Sequence, residues 1–237
     1  MPTATFDALG TLLSFYHPST VFCSLFSLPP QAFQFLFATT LRDYMAASLA
    51  GSFIPLVQIL ESAIGRTLAI HGVEYQTRKD DFDKVVKAFT EELTLVEGGL
   101  EAIRKTADAG WKVFVVTNGG RNVVQGAIER GGLGELIPNT AIMSCDEIGV
   151  AKPHKDVYEA VKRKRDDQEI WMVAAHAWDL MGAKRRGFKT CWVEDEEKLW
   201  MAAYPPPDVR GRNLMEAVEN MLAYAREHQP KISKPEA

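Results

Sequence analysis

Four polar clusters punctuate this chain of 237 residues, and each closes an apolar stretch. Asp7 ends the run Ala4-Thr5-Phe6 and is followed by Gly10 and Thr11. Thr117 and Asn118 end "WKVFVVTN", Lys152 sits in "DEIGVAKP", and His176, Trp178 and Asp179 follow "IWMVAA". An ionised carboxylate at the end of a buried strand is costly. Left unpaired it loses several kcal/mol, on the order of the whole stability of a small domain. Asp7 is therefore either paired for structural reasons or takes part in chemistry. One polar residue at a strand end would mean little, but a succession of them is hard to explain by packing.

The elements that must position these residues are legible in the apolar pattern. From Leu95 onward the chain alternates. "GGLEAIRKTADAG" reads as a helix closed by a glycine cap, and "WKVFVVTN" as a short buried strand. "RNVVQGAIERGG" is helical, "AIMS" a strand, "KDVYEAVKRKR" an amphipathic helix, "IWMVAA" a strand, "DLMGAKRRGF" a helix, "KTCWVE" a strand, and "NLMEAVENMLAYAREH" a closing helix. Strand–helix alternation of this kind predicts an α/β fold, a parallel sheet with helices on both faces. The segment 15–94 differs. Helical stretches such as "PPQAFQFLFATTLRDYMAASLAG", "FIPLVQILESAIGRTLAIHG" and "DFDKVVKAFTEEL" dominate it, with almost no clear strand. The expected organisation is a Rossmann-like core of residues 1–14 and 95–229, an inserted α-helical cap subdomain of residues 15–94, and a polar tail, 230–237. Ligands of open α/β sheets bind at the carboxyl ends of the strands. An insertion leaving the end of the first strand would lie directly above that edge.

"FDALGTL", "VVTNGG", "DEIGVAKP" and "AHAWDLMGA", in this order and spacing, resemble the four motifs of the haloacid dehalogenase superfamily, and most closely its type II L-2-haloacid dehalogenases. As a set the motifs are specific; singly, each is weak. The resemblance covers nearly the whole core, with the helical insertion where that family carries its cap. It implies a hydrolase in which Asp7 is the nucleophile, forming a covalent ester or acyl phosphate while a nearby cation keeps it ionised. Lys152 would be that cation, pairing with Asp7 and Asp179. Thr11, Thr117 and Asn118 would hydrogen-bond the carboxylates or the developing charge. Asp179 would hold Lys152 and help position water in the second step. A Lys–Asp–Asp network that only locks the strand ends is the bland alternative.

The chain also departs from that pattern. Superfamily phosphatases carry a general acid/base Asp two residues after the nucleophile, and here the place holds Leu9. Such a group contributes about a hundred- to ten-thousand-fold in rate, so its absence argues against a proficient phosphatase and favours the dehalogenase branch, which also lacks it. The dehalogenase Ser and Asn of the fourth motif are replaced by Ala174 and His176, and Ala175 stands where a phosphatase has a magnesium-binding Asp. With Lys152 competing for Asp7 and Asp179, no metal or other cofactor is expected; Mg2+, if used, would rest on those two carboxylates. His176 either positions or deprotonates the hydrolytic water, or stands in sterically as a hydrogen-bond donor. In the dehalogenases an Arg early in the cap holds the leaving halide. Registering the cap helices puts Phe37 at that place, with Arg42 the nearest Arg. Phe37, Leu41, Leu56, Leu9 and Trp178 would then line a largely apolar substrate pocket.

The formal net charge of -4 does not favour a nucleic-acid or anionic-membrane partner. No apolar run approaches the roughly 20 residues of a membrane span, and there is no secretory pattern at the start. Three scattered cysteines suit reduced thiols in a cytoplasmic protein. The expected partner is a small molecule, with a homodimer implied by the resemblance. Hydrolytic dehalogenation of a 2-haloacid or related organic acid is the leading reaction. A weak phosphatase, and a non-hydrolytic biosynthetic or non-catalytic protein on the same fold, are the alternatives.

Overall fold

The computed structural model describes residues 1–165 and 169–228; the tail 230–237 lies outside them. Strand β1 (Thr3–Asp7) is followed by β2 (Leu13–Ser14) and four helices: α1 (Tyr16–Phe26), α2 (Pro30–Leu49), α3 (Leu56–Ile70) and α4 (Lys79–Thr90). Next comes β3 (Thr94–Leu95), which pairs antiparallel with β2, Leu13 opposite Leu95. This short tie brings together the two chain ends of the helical segment. Strands and helices then alternate: α5 (Gly99–Asp108), β4 (Lys112–Thr117), α6 (Arg121–Arg130), β5 (Ile142–Ser144), α7 (Cys145–Ile148), α8 (Lys155–Lys164), β6 (Ile170–Ala174), α9 (Ala177–Lys184), β7 (Lys189–Val193), β8 (Val209–Gly211) and α10 (Leu214–Glu227).

The main sheet has six strands in the order β5-β4-β1-β6-β7-β8, every neighbouring pair parallel. β1 lies between β4 and β6, with Asp7 opposite Val116 and Phe6 opposite Val173. The carboxyl ends of these three strands therefore share one edge. Helices cover both faces of the sheet, so all five residues of β1 and of β6 are buried. The flanking helices pack in pairs, α5 with α10 and α8 with α9.

Local chemistry explains most element ends. Pro30 opens α2, where its missing N–H forfeits no helical hydrogen bond. Asn213 caps α10, its Oδ1 accepting from the Glu216 N–H, while Glu216 Oε2 accepts from the Arg212 N–H just outside the helix. The helical segment has an aromatic core of its own, in which Phe33 and Phe89 stack at 5.6 Å and Phe22 lies 5.3 Å from Phe26.

Several elements were not expected. Helix α1 is encoded by "YHPSTVFCSLF", in which a proline and β-branched residues obscure a buried face of Pro18, Phe22 and Phe26 spaced four apart. Strand β8 is three residues long, follows Pro205–Pro207, and buries Gly211 while leaving Arg210 exposed. β2 and β3, two residues each, are too short to carry any period. Among the described residues no single helix is long and apolar enough to cross a membrane.

Candidate active site

The end of β1 places Asp7, 4% exposed, beside two groups brought from distant parts of the chain. Lys152 Nζ lies 2.6 Å from Asp7 Oδ1 and 2.6 Å from Asp179 Oδ2, and donates to the Val116 carbonyl at 3.2 Å. Lys152 and Asp179 are fully buried. One ammonium thus serves two carboxylates where water cannot. Burial opposes the ionisation of Asp7 more than any other single influence. Lys152, with His176 next, still holds its carboxyl well below the usual range. For Lys152, burial favours the neutral amine, but Asp179 and Asp7 outweigh it and keep the ammonium protonated. Asp179 is pushed the other way. Its burial, with the Asp7 charge added, outweighs Lys152 and raises its carboxyl above the ordinary value.

The remaining contacts fix the trio in place. Thr11 Oγ1 donates to Asp7 Oδ2 at 2.8 Å and accepts from the Ala175 N–H at 2.9 Å, tying the loop after β1 to the end of β6. Asn118 Oδ1 accepts from the Lys152 N–H at 2.8 Å, so the loop after β4 holds the lysine by its backbone. The Lys152–Pro153 peptide is cis. Tyr158, from α8, donates to Asp179 Oδ1 at 2.6 Å. It can approach because α9 has Gly182 there: a Cβ at that position would lie 2.7 Å from the Tyr158 hydroxyl. Thr117 makes a different contact from the one expected. Its Oγ1 accepts from the Gly119 N–H at 2.9 Å and shapes the loop.

His176 sits at the entrance. Its Nδ1 is 3.5 Å from Asp7 Oδ2, close enough for charge but without a hydrogen-bond partner, and its ring stacks at 5.3 Å on Trp178. Burial lowers the proton affinity of the imidazole, Asp7 and then Glu197 raise it, and Lys152 opposes them; the net direction is upward. Gly10 adopts a left-handed φ of +81°, and a Cβ there would lie 3.0 Å from both His176 Cε1 and Phe15 Cε2. The loop after Asp7 can run under the imidazole only without a side chain.

Above this edge α1, α2 and the core loops enclose a cleft of about 1140 Å³. Phe37, Leu41, Arg42, Trp178 and His176 line it. Phe37 faces the core, 4.3 Å from Phe15 and 6.2 Å from His176, whereas the half-exposed Arg42 donates through Nε to Asp43 at 2.7 Å. Two expected pocket residues lie elsewhere. Leu9 is not among the cleft-lining residues and packs on Gly119. Leu56 is the first residue of α3, and its side chain is buried in the hydrophobic core.

Three residues were missed from the sequence. Tyr158 looks like any apolar-face residue of α8, and only its hydroxyl, which needs a partner when buried, could have flagged it. Ser144 donates to the Gly119 carbonyl at 2.8 Å. Glu197 accepts from the Ala177 N–H at 2.9 Å, at the first turn of α9 next to His176.

The donor set does not fit a magnesium ion. Each carboxylate already commits one oxygen to Lys152, Ala175 offers no side-chain ligand, and among the described residues no three His, Cys, Asp or Glu converge to hold a metal.

Comparison with known proteins agrees with this architecture. A sequence family described as haloacid dehalogenase-like hydrolase matches residues 39–193. The (S)-2-haloacid dehalogenase 4A of Burkholderia cepacia is 25% identical over 188 residues, covering 78% of this chain and 79% of that protein. The (S)-2-haloacid dehalogenase 2 of Pseudomonas sp. strain CBS-3 is 23% identical over 188 residues, 75% of this chain and 76% of its own. The L-2-haloacid dehalogenase structure from Xanthobacter autotrophicus superposes with a TM-score of 0.81 at 19% identity, covering 93% of this chain and 98% of that one.

Proposed function

Because this chain belongs to the haloacid dehalogenase-like hydrolases and is an enzyme of that superfamily, we propose that it cleaves a carbon–halogen bond next to a carbonyl group through an ester on Asp7. The observation that carries this reading is the Asp7 carboxylate, buried yet held ionised by Lys152 at 2.6 Å and lying 3.5 Å from His176, a residue that lines the cleft. In the first step an Asp7 oxygen attacks the halogen-bearing carbon and halide leaves with the bonding pair. Oδ2, the oxygen 3.5 Å from the cleft-lining His176, is the one assigned to this attack. Thr11 and Lys152 fix the carboxylate plane so that little orientation is left to find.

In the second step water attacks the Asp7 carboxyl carbon, and the acyl–oxygen bond breaks to release a 2-hydroxy product. Esterification removes the negative charge that favours a protonated His176, so the imidazole can then accept a proton through Nδ1. Asp179 and Tyr158 keep Lys152 in place to stabilise the oxyanion that forms on Asp7.

Heavy-oxygen water tests the reading. In a single turnover with excess enzyme, label should enter Asp7 before it is used to build product, and mass spectrometry of the Asp7 peptide should find it. The Asp7→Asn variant should stay folded and lose turnover by at least about a thousandfold. Full activity in that variant would end the ester mechanism. Efficient hydrolysis of a phosphate ester, without halide release from any halide, would move the protein to the phosphatase branch.

A further inference from the structure

The cleft is poorly matched to a short free acid. At about 1140 Å³ it exceeds the ~300–1,000 Å³ common for pockets that hold drug-sized ligands, and a chloropropionate of about six heavy atoms would fill little of it. Its walls are the aromatic and aliphatic faces of Phe15, Phe33, Phe37, Leu41, Met45 and Trp178. This is a surface that rewards a large apolar body.

The charges lining the cleft point the same way. Besides His176 they are Arg42, Glu196 and Glu197. Arg42 is already paired with Asp43 and stands at the exposed rim. Glu197 is engaged by the Ala177 N–H, and Glu196 has no hydrogen bond or ion pair among the described residues. Below them Asp7 and Asp179 share a single Lys152. A substrate carboxylate would enter a field that is negative overall, where Arg42 is taken by Asp43, Lys152 by two carboxylates, and His176, when protonated, already faces Asp7 at 3.5 Å. The place where the superfamily resemblance expects an Arg holds Phe37, so the cap supplies none either.

Resting on the Asp7-ester reading, we infer that the substrate is a neutral α-halo carbonyl compound, an amide or ester with a bulky aromatic or branched alkyl body, rather than a free 2-haloacid. The carbonyl activates the neighbouring carbon for displacement whether or not it belongs to an acid. Asp7 forms a C–O bond as the C–X bond breaks and halide takes the electron pair. Water then adds to the Asp7 carboxyl carbon, the acyl–oxygen bond breaks, and 2-hydroxy amide or ester leaves with one proton released to solvent. The balance is one water consumed and one halide and one proton produced, with no redox partner.

The full chain should be assayed for halide release on three compounds: 2-chloropropionate, 2-chloropropanamide and N-benzyl-2-chloropropanamide, each as both enantiomers. The expected order of kcat/KM is benzyl amide above bare amide above free acid, the extremes about a hundredfold apart. Glu196→Lys should narrow that gap about tenfold by raising the rate on the free acid. If the free acid equals or exceeds the benzyl amide while label still enters Asp7, the substrate inference is overturned and the ester mechanism stands. An Arg42→Ala variant that then loses the acid activity would identify the cation responsible. If none of the compounds places label in Asp7, the mechanism fails and the inference fails with it.

Discussion

Lys152 is the residue on which the site's electrostatics turn. It is a fully buried cation held 2.6 Å from each of two buried carboxylates, so deleting it removes the counter-charge they share. Lys152→Met is expected to destabilise the fold by about 3–5 kcal/mol, measured by denaturant unfolding. Adding Asp179→Asn should recover part of the loss, since one of the stranded charges is then gone. His176 gives a second expectation. The folded imidazole keeps its proton above the ordinary value of 6.5, so its stabilising share is complete below that pH and is lost as pH rises through the higher folded value. Thermal unfolding at about pH 6 and about pH 9 should show a larger drop for the wild type than for His176→Gln. Asp7 was legible as an acid closing an apolar run; Lys152, in a turn, and Asp179, in the first turn of α9, were legible through the motif resemblance. Glu197 was not, because it sits in the charge run "EDEEK", which reads as a solvated turn. Thr117 Oγ1 accepts from the Gly119 N–H, a contact that spacing does not reveal, since spacing shows where a hydroxyl sits but not which way it points.

At the scale of elements, the helical segment and the core meet through specific contacts near the site. Ser48, in the last turn of α2, accepts from the buried Ala151 N–H at 2.8 Å, one residue before Lys152. Ser48→Ala strands that N–H and should cost about 1–3 kcal/mol, with faster amide exchange at Ala151 as the local readout. The loop between β1 and β2 carries a different constraint. Gly10→Ala forces a side chain onto a left-handed backbone at a cost of about 1–2 kcal/mol and drives its Cβ toward His176 and Phe15. Turnover should fall by more than the loss of stability alone explains, and measuring both on one preparation separates the two. Most core elements were legible because β4, β6 and β7 are unbroken apolar runs between helices of clear period. Helix α1 was not, because its stability comes from Phe22 and Phe26 packing into the aromatic cluster rather than from its own propensities. In α2, packing turns Phe37 toward His176 and leaves Arg42 with Asp43, a difference that helical spacing alone does not reveal.

The whole molecule sorts its thiols by depth. Cys145 and Cys191 are fully buried; burial pushes the Cys145 thiol up to about 12 and that of Cys191 higher still. Cys23 is partly exposed and lines the cleft. A thiol reagent should therefore titrate one cysteine in the native protein and all three after unfolding, and the native adduct should slow large substrates more than small ones. The central position of β1 has a consequence in time. This buried strand can pair only with β4 and β6, and β4 lies roughly a hundred residues further along the chain. At a synthesis rate of about 5–20 residues per second, that partner arrives roughly 5–20 seconds after β1 is made. Until then "TATFD" has neither of the neighbours that bury it, so Asp7 reaches its reactive setting only after more than a hundred further residues have been made.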